Sequence, residues 1–129
     1  MTSIDTVAAT IMRVVCGKDE LAEKLQVAGR GVSTRTAVQI LAGIMLRAAA
    51  GRLHLSATDM EISVRDSLEA EVEEEGAVVV PGRLLVDIVR LLPGGEVTLE
   101  HRADEGVVRL TCGSASYSLN TYGPEDFPR

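Results

Sequence analysis

Residues Val78–Gly95, VVVPGRLLVDIVRLLPGG, decide how the rest of the chain is read. They run from a short apolar stretch through Pro81-Gly82 into an amphipathic helix, and out at Pro93-Gly94-Gly95. Pro81 suits the opening of a helix, where its missing N–H would be unsatisfied anyway. Leu84, Leu85, Ile88, Val89 and Leu92 recur at helical spacing and predict a broad apolar face. Arg83, Asp87 and Arg90 fall on the other side, so the two arginines point the same way about 10 Å apart along the axis. A strand thus feeds a helix that is apolar on one face and cationic on the other. The next question is whether this unit occurs once or twice.

Upstream, Ile11–Cys16 predicts a strand, and Gly17–Gly29, GKDELAEKLQVAG, predicts a helix. Asp19, Glu20 and Glu23 lie toward its start, where the helix dipole favours acid. Leu21, Leu25 and Ala28 make its apolar stripe, Lys24 and Arg30 lie to the other side and end, and Gly29 and Gly31 close it. Gly31–Thr36 is a polar loop carrying Arg35. The hydrophobic period then changes to two, giving strands at Gln39–Ala49 and Arg52–Ala57 around an Ala50-Gly51 hairpin. Met60–Val72 alternates most cleanly, with Asp66 its single break, read as a bulge. After an acidic turn at Glu73–Gly76 the order repeats: strand Ala77–Val80, helix Gly82–Leu92, and strands Glu96–His101, Val107–Cys112 and Ala115–Thr121. The pattern is strand, helix, three strands, twice over. Two such halves side by side put both helices on one face of a sheet layer. Hairpin connections make the class α+β, not a parallel nucleotide-binding sheet. Residues 1–9 read as a tail, 10–122 as the domain and 123–129 as the start of a linker.

A chain of 129 residues implies one domain. Aromatics are only 2% of it, so the core must be built from Leu, Val, Ile, Ala and Met. A net charge of -6 speaks against a protein that coats nucleic acid all over, but leaves room for a local basic face. No apolar run is long enough to span a membrane. The N-terminus lacks the basic region of a secretory signal. The expected location is the cytoplasm, with Cys16 and Cys112 as free buried thiols. There is no Gly-x-Gly-x-x-Gly, no Gly-Lys-Ser/Thr and no His-Glu-x-x-His. His54 and His101 are solitary, so no metal site, cofactor or catalytic set is expected. Asp59 and Glu61 read as solvated positions on an alternating strand. The acidic run from Asp59 to Glu75, with Arg65 its single base, reads as a solvated outer face that keeps the outside of the molecule acidic. Lys24, Arg30, Arg35, Arg83 and Arg90 converge if both helices share a face. Such a patch would contact phosphates without reading sequence.

Val27–Ile62, VAGRGVSTRTAVQILAGIMLRAAAGRLHLSATDMEI, resembles the first domain of the bacterial sliding clamp, the beta subunit of DNA polymerase III. The features are Ser33-Thr34-Arg35, Ile40-Leu41-Ala42-Gly43-Ile44, Gly51-Arg52-Leu53 and Ala57-Thr58-Asp59-Met60-Glu61. The second half agrees through Val80-Pro81-Gly82-Arg83, Leu92-Pro93, Tyr117-Ser118-Leu119 and Glu125-Asp126-Phe127-Pro128. The resemblance implies the DNA clamp fold and a non-enzymatic role in replication. Three such domains make each chain, and two chains close a head-to-tail homodimer ring around double-stranded DNA, conferring processivity on the replicative polymerase. It places Arg35 in a loop near DNA, and Arg83 and Arg90 on a helix facing the hole. It makes the last strand, with Ser116, Tyr117, Ser118 and Leu119, the edge that meets the neighbouring chain. Peptides of the polymerase and the clamp loader would bind in domains beyond this one, since the sequence ends where a second domain would start. Thr36 and Gln39 stand where the family often has proline. The alternative is a stand-alone module that recruits a protein by strand addition at Ala115–Thr121.

Overall fold

A computed structural model describes residues 10–31, 43–58, 63–102 and 105–122. The chain runs β1 (Thr10–Gly17), α1 (Lys18–Ala28), a single 3-10 turn (Gly29–Gly31), β2 (Gly43–Ala49), β3 (Arg52–Thr58), β4 (Ser63–Glu69) and β5 (Glu71–Glu74). It continues through β6 (Gly76–Pro81), α2 (Gly82–Leu91), β7 (Glu96–Arg102), β8 (Val107–Cys112) and β9 (Ala115–Asn120). The doubled order of strand, helix and three strands is present, with β5 added between the halves. The expected tail, the expected Arg35 loop, Asp59 and Glu61, and the expected linker lie outside the described residues.

The strands form two antiparallel sheets, not one layer: β5-β1-β7-β8-β9 and β4-β3-β2-β6. The halves exchange their first strands. β1 pairs with β7 of the second half, and β6 pairs with β2 of the first. Hydrophobic period alone cannot reveal this, because it fixes which face of a strand is buried and not which neighbour it takes.

Met60–Val72 needs a second correction. The strand stops at Glu69, and the chain crosses to the other sheet at Ala70, whose N–H donates to the Gly51 carbonyl at 3.0 Å. Val72 then pairs with Val14. The alternation survives the crossing in step, so the sequence reads as one strand. Asp66 is no bulge, because it keeps regular register opposite Leu55. It occupies an inward position beneath α1, and Lys24 lies 3.6 Å from its carboxylate.

α1 packs across β3 and β4 and α2 against β2 and β6, so the helices lie side by side and touch. Leu21, Leu25 and Ala28 of α1 and Leu85, Ile88 and Val89 of α2 enter a single core with Met12, Val14, Leu46, Leu55, Leu99 and Leu110. Leu92 closes the end of α2 and is buried, whereas Leu84 is 49% exposed, against the expectation that it joins the apolar face. Pro81 precedes the first helical residue, Gly82. The Ala50-Gly51 hairpin holds both residues at positive φ, 53° and 73°, as a two-residue turn that follows the strand twist requires.

Candidate nucleic-acid interface

A groove of about 300 Å³ runs between the helices. Leu25, Gln26, Gly29 and Arg30 line one wall, and Gly82, Arg83, Val86, Asp87 and Arg90 the other. The walls come close at Gly29, where an added Cβ would make only ordinary van der Waals contact. A Cβ there would sit 3.5 Å from Val86 Cγ2. Leu25 and Val86 give the groove an apolar floor, while Arg30, Arg83, Asp87 and Arg90 are exposed at its rim.

Three of the five expected basic residues therefore meet: Arg30, Arg83 and Arg90. Lys24 does not line this groove, because Asp66 draws its ammonium toward β4. Arg35 lies outside the described residues. Sequence reading missed Gln26, whose only signal is its position one turn before Arg30.

The state of the cations separates this groove from the outer face of the five-stranded sheet. Across the outer face of the β5-β1-β7-β8-β9 sheet they are neutralised in a chain. Arg13 binds Glu73 and, at 3.0 Å, Glu100. Arg102 lies 3.8 Å from both Glu100 and Glu105, and Arg109 is 3.2 Å from Glu105. No carboxylate among the described residues forms an ion pair with Arg30, Arg83 or Arg90. Arg90 lies in the last turn of α2, where a cation suits the helix dipole. Arg83 lies in the first turn, where a cation opposes it and costs about 0.3–1 kcal/mol. A mere surface arginine gains nothing from that position, whereas an anion would be drawn to both the guanidinium and the helix end.

The outside of the molecule is not uniformly acidic, as the sequence suggested. Arg47 and Arg65 are exposed on the outer face of the β4-β3-β2-β6 sheet. On the expected interface strand, β9, residues Ser116, Ser118 and Asn120 are exposed. Leu119 is 1% exposed and belongs to this domain's own core, so it offers a neighbour only its backbone. Tyr117 is half-buried against the same core. β9 has β8 on one side and ends its sheet on the other. Just beyond it, Tyr122 bridges to Val79 of β6, with its N–H donating to the Val79 carbonyl at 2.8 Å.

The Cys16 thiol is a poor nucleophile, and both cysteines are free and buried. Burial, with Glu20 nearby, pushes Cys16 up to about 12, and Cys112 donates to the Gly94 carbonyl at 3.3 Å. No cluster of His, Cys, Asp and Glu among the described residues could hold a metal ion. No described helix is long and apolar enough to cross a membrane.

Two helices side by side over paired antiparallel sheets are the fold of solved sliding clamps. Residues 12–129 match the family described as DNA polymerase III beta subunit, N-terminal domain, and the chain belongs to that family. It is similar to the beta sliding clamp of Streptomyces coelicolor, 42% identical over 118 residues that make up 91% of this chain and 31% of that protein. Among solved structures, a Caulobacter crescentus beta sliding clamp superposes with a TM-score of 0.88 at 29% identity, covering 92% of this chain and 32% of that one. A Bartonella birtlesii sliding clamp bound to griselimycin gives a TM-score of 0.85 at 34% identity, with the same coverage. The chain spans about a third of the length of the curated relatives it matches.

Proposed function

We propose that this chain is a non-catalytic domain of a replicative sliding clamp in the cytoplasm. Its two helices face duplex DNA, and the ring they help to build keeps the polymerase on its template. The observation that carries this reading is the convergence of Arg30, Arg83 and Arg90 on one inter-helix groove, without carboxylate partners among the described residues. Guanidinium groups with no carboxylate partner among the described residues, in an acidic chain, suit phosphates met in passing and held by charge alone. Encirclement removes the need for tight contacts, so weak and sequence-independent binding is sufficient. The polymerase and the clamp loader engage domains beyond this chain.

The ring closes head to tail through the β9 edge. Two features support that edge as the contact. β9 has no strand on its outer side among the described residues, and α2 exposes Leu84 and Leu91, seven residues apart on one stripe, with Leu91 73% exposed. The Tyr122–Val79 bridge ties the end of β9 to the strand that feeds α2. These leucines extend the interface set of Ser116, Tyr117 and Ser118.

The test is a chimera in which this chain replaces the matching third of the Streptomyces coelicolor clamp. Retention on circular duplex DNA, with release once the circle is linearised, is the expected result. Equal retention on circular and linear DNA would contradict it. A stand-alone recruitment module would instead capture its partner without any ring.

A further inference from the structure

The outer face of the β4-β3-β2-β6 sheet carries a cationic patch that the DNA reading does not use. Register places Arg47 of β2 beside His54 of β3, and His54 beside Ser67 of β4. In the next row Met45, Ser56 and Arg65 stand side by side, and in the row on the other flank so do Ala49, Arg52 and Glu69. Arg47 and Arg65 are exposed, and neither forms an ion pair with a carboxylate among the described residues. Arg52 lies opposite Glu69 yet donates through Nε and a terminal nitrogen to Ser67 Oγ, at 3.1 and 3.0 Å. This hydroxyl fixes the guanidinium in the plane of the patch without neutralising it. Among the described residues this face therefore holds three arginines and a histidine against one carboxylate, in a chain of net charge -6.

We infer that this face docks a short acidic peptide segment of a partner protein, through carboxylates placed on Arg47, Arg52 and Arg65. The shape of the patch selects that partner over nucleic acid. β2 and β4 are two strand spacings apart, about 10 Å, so the patch is only a few residues wide. Glu69 stands in its last row, and Glu75 sits at the adjoining hairpin, where it accepts the Ala50 N–H at 3.1 Å. A phosphate backbone continuing past the arginines would run on to Glu75 as well, whereas a segment of a few acidic residues ends at the Arg52 row. The half-buried Met45, Ala49 and Ala77 offer apolar contact between the charges. Arginine forks hold carboxylates bidentately, which a point charge cannot do. The helices cover the opposite face of this sheet, so the patch and the inter-helix groove can be occupied together.

The test uses the 129-residue chain and a fluorescein-labelled peptide, Glu-Glu-Leu-Glu-Glu-Leu-Glu-Glu, followed by anisotropy at low salt. Arg47→Glu with Arg65→Glu is expected to weaken binding about tenfold or more, Arg47→Gln with Arg65→Gln by a smaller factor, and Arg83→Glu with Arg90→Glu hardly at all. Unchanged thermal melting of each variant assigns the losses to the patch. The inference is overturned by equal peptide binding in the Arg47/Arg65 variants, or by loss of peptide binding in the Arg83/Arg90 variant. It is also overturned if duplex DNA loses as much affinity as the peptide on Arg47/Arg65 reversal, or if that reversal abolishes self-association seen by sedimentation.

Discussion

The two helices hold equivalent places in the repeat and carry opposite chemistry. In step along the sequence, Leu21, Leu25 and Ala28 of the first half correspond to Leu85, Val89 and Leu92 of the second, and all six are buried. At the same alignment Asp19 corresponds to Arg83, and Gln26 to Arg90. α1 exposes Asp19, Glu20 and Glu23 to solvent, and its Lys24 is tied to Asp66. α2 exposes Arg83 and Arg90 without such a partner among the described residues. The repeat is therefore one of backbone and buried positions. Surface charge has diverged, and the cationic groove is built mostly by one helix.

The largest expected effects test the shared part. Leu21→Ala and Leu85→Ala, both at fully buried sites, should each lose about 2–5 kcal/mol in urea denaturation. A small loss at one of them would break the equivalence of the helices. The next effect concerns the divergent part. Arg83→Glu with Arg90→Glu should lower the slope of log affinity against log salt by about two, as for two lost phosphate contacts. Glu20→Lys with Glu23→Lys should not lower it. Arg83→Glu alone should slightly raise the melting temperature, since it removes a cation from a helix N-terminus. An unchanged salt slope in the double variant would refute the assignment of the groove.

The two sheets offer a smaller contrast. His101 sits on the buried face of the five-stranded sheet between Met12 and Val108, and its Nδ1 has no hydrogen-bond partner among the described residues. Burial lowers its pKa below the ordinary 6.5. The unfolded chain therefore takes up the proton first. The contribution is fully present above pH 6.5 and is lost as pH falls through the lowered value. Denaturation at pH 7.5 and at pH about 5 should show that loss, and His101→Leu should reduce it. An identical loss in the variant would assign it to other groups. The smallest effect lies on the outer faces. Arg13→Ala should cost under about 1 kcal/mol, shrinking as salt is added, and Arg47→Ala should stay within about 0.5 kcal/mol. Equal, salt-independent losses would erase the distinction between ion-paired arginines and those without a carboxylate partner among the described residues.

Local structure was legible because local rules set it. The span of α2, the Ala50-Gly51 hairpin and the strand Val107–Cys112 follow from period, turn residues and helix stops. The exchange of β1 and β6 between the halves was not legible, since partner choice is settled by packing across the whole core. Lys24 was misread for a similar reason. Helical spacing placed it among the bases, but Asp66, distant in sequence, claims it. The exposure of Leu84 was hidden because the apolar stripe of α2 is wider than the core beneath it. Convergence of Arg30, Arg83 and Arg90 was legible only on the premise that the helices adjoin.

The crossed pairing of first strands bears on how the molecule comes into being. During synthesis β1 emerges early but must wait for β7, about 80 residues later, before its main partner exists. Neither half can complete a sheet alone, so a truncated product should remain unfolded and not survive as half a domain. Loop closure over that span makes folding slow relative to a helical bundle of equal size. Once closed, the halves are interlaced and must come apart together, so a domain built by repetition behaves as one cooperative body.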